Sequence, residues 1–288
     1  MSLVVGIDAG GTKLAAGLVD VPSGRLIRSR EVPASPHRGG QAILADCVAL
    51  ARLVSAGRAD AIGLAVPELV APDGRITSAA TWDWRGWDLA APFASIGPVK
   101  VESDVRAAAT AEARLGAGTG LSSFLYLTIG TGVSHTFVVD GTPWPGARGN
   151  AVVVGAPLIE WSASGAALAA RAGKARAEDV LACAGDDALV DDVARTLAVE
   201  LARLVNAFDP QAVIIGGGLG LDCAFRLRLT ALAREYIYAA GTRDLSILPA
   251  ALGREAGVVG AALAGASLAL GQIGAAGTFG CYRRHNSS

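Results

Sequence analysis

Apolar positions run almost without a break through LVVGIDA at the start of the chain, pause at Gly10-Gly11-Thr12, and resume as KLAAGLVD up to Asp20. Apolar runs of this length on either side of a glycine turn predict two paired strands. The design returns at residues 123–141, SFLYLTIGTGVSHTFVVDG, with Gly130-Thr131-Gly132 at the turn and Val-Asp at the end. Each hairpin opens roughly half of the chain, which suggests an internal duplication.

Between the hairpins the period changes. GQAILADCVALARLVSAG (40–57) has helical spacing, AIGLAVP (61–67) reads as a buried strand, and a Trp-rich loop follows. VKVESD is a short strand leading into the alanine-rich helix VRAAATAEARLGAG (105–118). In the second half, residues 186–209 show helical spacing with a charged outer face, stopping at Asp209-Pro210 because proline cannot continue a helix. A last apolar strand enters IIGGGLG. Strands alternating with helices predict an α/β class. No Pro- or Ser-rich linker appears, so two tightly joined domains are expected to meet near Gly116–Gly120.

Charge and composition narrow the choice of partners. Twenty-five basic and twenty-six acidic residues leave a net charge of −1, which provides no footprint for nucleic acid or an anionic membrane. The four cysteines lack C-x-x-C spacing, so a reducing cytoplasm is the expected setting. The stretch from Ala256 to Tyr282 is uncharged, but it is built of Ala and Gly rather than Leu, Ile and Phe. It predicts a close-packed buried helix and a Gly-rich tail rather than a membrane span.

The turns carry the chemistry. Asp8 ends a strand, Gly10 and Gly11 let backbone N–H groups approach a phosphate, Thr12 adds a hydroxyl and Lys13 a positive charge. A carboxylate facing a phosphate cradle makes sense with a cation between them, which marks Asp8 as a water-mediated Mg²⁺ ligand. An ordinary glycine hairpin with a solubilising Asp explains one such turn equally well. The second turn, Gly130-Thr131-Gly132, shifts the balance: two turns facing each other would grip a polyphosphate from both sides. Gly216, Gly217 and Gly218 add a third open backbone, against which a base or ribose can lie. Neither a Walker loop nor a G-x-G-x-x-G register is present.

In this order, D-x-GGTK, E-x-D before an alanine-rich helix, GTG and DP-x-x-V-I-I-GGG, the chain resembles the ROK family of sugar kinases, within the actin, hexokinase and Hsp70 superfamily. TWDWRGWDL and LGREAGVVGAALAGA resemble further family segments. The resemblance implies two ribonuclease-H-like lobes holding ATP–Mg²⁺ and a sugar in the cleft between them. It implies an N-terminal lobe of residues 1–116 joined by a returning helix at about 257–272, a C-terminal lobe of 117–256, and a tail at 273–288. A cytoplasmic homodimer is expected by the same analogy. The family's base falls on Asp104, where a carboxylate would take the proton of the attacking hydroxyl; a helix N-cap is the plainer role and is compatible with it.

Several positions depart from the family pattern. Ser103 replaces an Asn, shortening a sugar contact, and Ser134, His135 and Thr136 follow the second turn where glycines are usual. In GARGNAVVVGAPLIEW (146–161) the start, with Asn150, and the end, with Glu160, match a sugar-binding segment. Val153 and Ala156 stand where Glu and His are usual, and the zinc loop is missing, so no structural zinc is expected. Each sugar hydroxyl left unpartnered would cost about 1–3 kcal/mol. Glu68 and Arg148 are candidates to replace the lost ligands, the plain alternative being exposed loop charges. The expected activity is ATP-dependent phosphorylation of a sugar or sugar-like polyol other than ordinary glucose. The alternative is a non-catalytic sugar or nucleotide sensor. A repressor is not expected, since the first turn begins within ten residues of Met1 and leaves no room for a DNA-reading segment.

Overall fold

In the computed structural model, residues 2–154, 157–182, 185 and 187–274 are described. Ala156, Cys183, Cys281 and positions 275–288 of the expected tail lie outside them. The first hairpin is β1 (Leu3–Ala9) and β2 (Lys13–Asp20), extended by β3 (Arg25–Pro33). Helix α1 (Gly40–Ser55) leads to β4 (Ala61–Val66) and β5 (Val99–Ser103). The sheet order is β3-β2-β1-β4-β5, antiparallel across the first three strands and parallel beyond β1.

After α2 (Asp104–Leu115) the plan repeats. β6 (Ser123–Ile129) and β7 (Val133–Val139) form the second hairpin, and β8 (Thr142–Pro143) extends it. Three short helices follow, α3 (Pro157–Ala163), α4 (Gly165–Arg171) and α5 (Ala177–Leu181), then the long α6 (Asp187–Phe208). β9 (Ala212–Gly216), α7 (Gly218–Leu221), α8 (Cys223–Tyr236) and β10 (Ser246–Pro249) complete a sheet ordered β10-β9-β6-β7-β8. Each β6–β10 strand has the sheet place and pairing sense of its β1–β5 counterpart, so the duplication read from the two hairpins extends to whole sheets. The architecture is α/β with two ribonuclease-H-like lobes.

Each sheet is covered by helices whose apolar face follows the 3.6-residue period. Ile43, Cys47, Leu50 and Val54 of α1 pack with Trp82, Trp84 and Phe93 against the first sheet. Val190, Val193, Leu197 and Leu201 of α6, with Phe225 and Leu229 of α8, cover the second. The uncharged segment becomes α9 (Ala256–Gly274), which lies on β1, β4 and α2. Its small residues have a steric reason: a methyl at Gly6 would overlap the Val258 carbonyl, and one at Gly63 the Ala261 carbonyl. Backbones meet there directly, and no helix among the described residues is long and apolar enough to cross a membrane.

The described residues of the segment 146–161 form a closed loop and then a helix. Ala151 N–H bonds the Pro145 carbonyl at 3.3 Å, Val153 makes a single bridge with Ser134, and Glu160 sits on α3.

Candidate active site

The strand ends converge on one cavity of about 420 Å³ between the sheets. Asp8, Thr12 and Lys13 reach it from the first hairpin, Asp104 from the start of α2, and Gly130 and Thr131 from the second hairpin. Gly217 and Gly218 close the far side. Gly217 has φ +82°, and a methyl on it would overlap the Ile129 backbone, so only glycine fits. Gly10, Gly11, Gly132 and Gly216 shape these turns from behind and do not line the cavity. The second turn is held rigidly: Gly130 N–H bonds Gly132 O at 2.9 Å, and Gly165 N–H, opening α4, bonds Gly130 O at 2.8 Å.

Asp104 occupies the strand-to-helix junction, with Ser103 as the N-cap residue and the Val105 N–H donating to Asp104 Oδ1 at 2.6 Å. Burial raises its pKa to about 7 and the nearby Asp8 charge adds to the rise, against lowering by the Val105 N–H. Asp8 is likewise raised by burial, opposed by Lys13. No hydrogen bond from a described residue reaches the Asp8 carboxylate, although it faces a cradle built for phosphate. A half-buried anion without a hydrogen-bond partner among the described residues at such a place fits a cation ligand. Lys13 bonds Glu31 at 2.8 Å on the rim.

The expected substrate residues divide. Glu160 accepts from the Val133 N–H at 2.9 Å and lies against Gly132, so it belongs to the second turn; partial burial raises its pKa against that bond. Ser103 is buried beside Asp104. Arg148 and Asn150 are exposed, and Val153 is 53% exposed. Glu68 corrects the expectation of an exposed charge or a substrate contact. It is buried, and its two oxygens accept from the Ser78 hydroxyl and from the N–H groups of Ala80 (2.8 Å), Thr81 (2.6 Å) and Trp82 (2.9 Å). Its acceptor capacity is spent on folding the Trp-rich loop. His135 is buried near Phe208 with burial lowering its pKa to about 4, a structural position.

Sequence reasoning missed Tyr126, Thr128, Arg176, Glu178 and Arg254, which also line the cavity. The first two had a signal: Tyr126, Thr128 and Gly130 alternate along one strand and share a face. Arg176 caps α5, Glu178 lies in its first turn and Arg254 in a short turn before α9, all in segments too short to show a period.

A model of the ROK family matches residues 4–267. The chain is 32% identical to the bifunctional enzyme NanE/NanK of Brucella melitensis over 91% of its own length, spanning about half (53%) of that relative. It is 31% identical to a glucokinase of Streptomyces coelicolor, covering 91% of this chain and 97% of that one. Among solved structures, a ROK family glucokinase from Streptomyces griseus, in complex with glucose and AMPPNP, superposes with a TM-score of 0.76 at 27% identity, covering 92% of this chain and all of that one (100%). Together with the duplicated sheets and the cavity between their turns, these matches establish that the chain belongs to the ROK family.

Proposed function

We propose that the protein is an ATP-dependent kinase acting on a hydroxyl of a sugar or sugar-like polyol. The observation that carries this reading is the placement of Asp104 in one cavity with both glycine-threonine turns and the Gly217-Gly218 backbone. The turns' N–H groups and the Thr12 and Thr131 hydroxyls bind and orient the phosphates. Asp104 holds the acceptor hydroxyl and accepts its proton as the new O–P bond forms and the bond to the ADP leaving group breaks. Asp8 would hold Mg²⁺ through water, and the bound ion would neutralise phosphate charge.

On the acceptor side, exposed Val153 gives no hydrogen bond, which favours acceptors with fewer hydroxyls to satisfy than glucose. Glu160, Asn150 and Arg148 are the polar residues that the matching segment retains.

The test is ADP release with Mg²⁺–ATP across hexoses, amino sugars, sugar acids and cyclitols. Polyol-dependent turnover, reduced roughly a thousandfold in Asp104→Asn, is expected, with glucose a poor acceptor. Nucleotide binding without turnover on any acceptor would replace the kinase by a sensor.

A further inference from the structure

Arg106 stands one half-turn beyond Asp104 on α2 and is only 4% exposed. A guanidinium so deeply buried must find acceptors for its donors. It finds three, on three different segments. Nε donates to Glu102 Oε1 at 2.7 Å, Nη1 to the Gly149 carbonyl at 2.9 Å, and Nη2 to the Val70 carbonyl at 2.8 Å. Val70 belongs to the loop after β4 that Glu68 organises; Gly149 belongs to the loop after β8 in the other lobe. Gly149 has φ +82°, and a methyl there would overlap the Val70 carbonyl. The two loops therefore touch backbone to backbone, with one guanidinium bonded to both carbonyls.

Two further contacts extend this junction. The loop around Gly149 is closed on itself by Ala151 N–H to Pro145 O, so holding Gly149 also holds its neighbours Arg148 and Asn150. Glu102 Oε1 also accepts the Ser103 N–H at 2.8 Å, directly before Asp104.

We propose that Arg106 is a positioning residue for the acceptor: it latches the 145–151 loop of one lobe onto the other and sets that loop relative to Asp104 before any ligand binds. The role in acceptor binding rests on the kinase reading; the latch itself does not. Lys at this position keeps the charge but not the planar fork, and one ammonium cannot serve both carbonyls and Glu102 in this geometry.

The test uses Arg106→Lys and, as a milder break of the same cluster, Glu102→Gln, which leaves an oxygen for the Ser103 N–H. Hydrogen exchange is measured on the ligand-free proteins. Peptides covering 145–152 and 69–77 are expected to exchange about tenfold faster in Arg106→Lys, with peptides from β6 and β7 unchanged. For whichever of glucose, fructose, N-acetylmannosamine or an inositol turns over, acceptor KM is expected to rise about tenfold, with the KM for ATP unchanged and kcat nearly so. Faster loop exchange in a protein that phosphorylates none of these supports the latch and counts against the kinase. An active protein whose variants keep wild-type loop exchange and acceptor KM overturns the latch. Failure of both variants to fold overturns it too, by showing that the cluster serves the fold rather than the loop.

Discussion

At the residue scale, half-buried Asp104 and buried Glu68 show two opposite ways of placing a carboxylate. The Asp104 pKa is raised from 3.8 to about 7, so its charged form is disfavoured by the fold. The folded state holds a proton between these values that the unfolded state has released, and stability falls as pH climbs through this window. A base must be unprotonated, so kcat/KM should drop about tenfold per pH unit below pH 7 and level off above it. Asp104→Asn should cost roughly a thousandfold in kcat while raising the melting temperature at pH 8; a variant that is inactive but no more stable there would contradict the burial argument. Glu68 has the opposite character, since its charge is fully satisfied. Glu68→Gln offers one acceptor oxygen where four donors converge, and should cost about 2–3 kcal/mol in a denaturant titration. The contrast between them was only half visible in the sequence. Asp104 stands in a motif, whereas Glu68 after Pro67 gives no hint that Ser78 and three backbone N–H groups from ten or more residues away will surround it.

At the element scale, the pattern succeeded wherever a segment buries one continuous face. The 40–57 helix is α1 at Gly40–Ser55, the 186–209 helix is α6 at Asp187–Phe208, and both hairpins stand where the glycine turns put them. It failed for three edge strands, β3, β8 and β10, although the fourth, β5, stands where VKVESD puts it. β3, RLIRSREVP, is exposed along most of its length and gives the core only Leu26 and Val32, so neither apolar run nor alternation marks it. The Ala-rich α3, α4 and α5 are too short for a period to show. Packing of α9 against β4 makes a sharp prediction. Gly63→Ala drives a methyl into the Ala261 carbonyl, backbone against backbone, and should destabilise by about 3 kcal/mol. A small gain is available at the end of α1, where Ala56 caps the helix at φ 55°. Ala56→Gly should add about 1 kcal/mol by relieving the left-handed penalty, read as a higher denaturation midpoint.

At the scale of the whole molecule, the site exists only because the two sheets share a cleft. Asp8, Thr12 and Lys13 come from one, Gly130, Thr131, Gly217 and Gly218 from the other, and Asp104 from the helix between them. Neither sheet alone offers a polyphosphate two sides. A nucleotide bridging them should therefore stabilise both at once, by about 2.7 kcal/mol at a hundredfold excess over its Kd, or roughly 5 °C in melting temperature. Asp8 separates the metal's part of this effect from the nucleotide's. Its carboxylate has no hydrogen-bond partner among the described residues, burial raises its pKa, and it faces the cradle. In wild type, Mg²⁺ added with ATP should raise the melting temperature further than ATP alone. In Asp8→Asn the ligand-free protein should melt higher, increasingly so as pH rises, because a half-buried charge has been removed. The shift with ATP alone should remain, since the turns are intact, and Mg²⁺ should add nothing to it. A full Mg²⁺-dependent increment in Asp8→Asn would mean that the cation is held elsewhere in the cleft and that Asp8 serves another purpose.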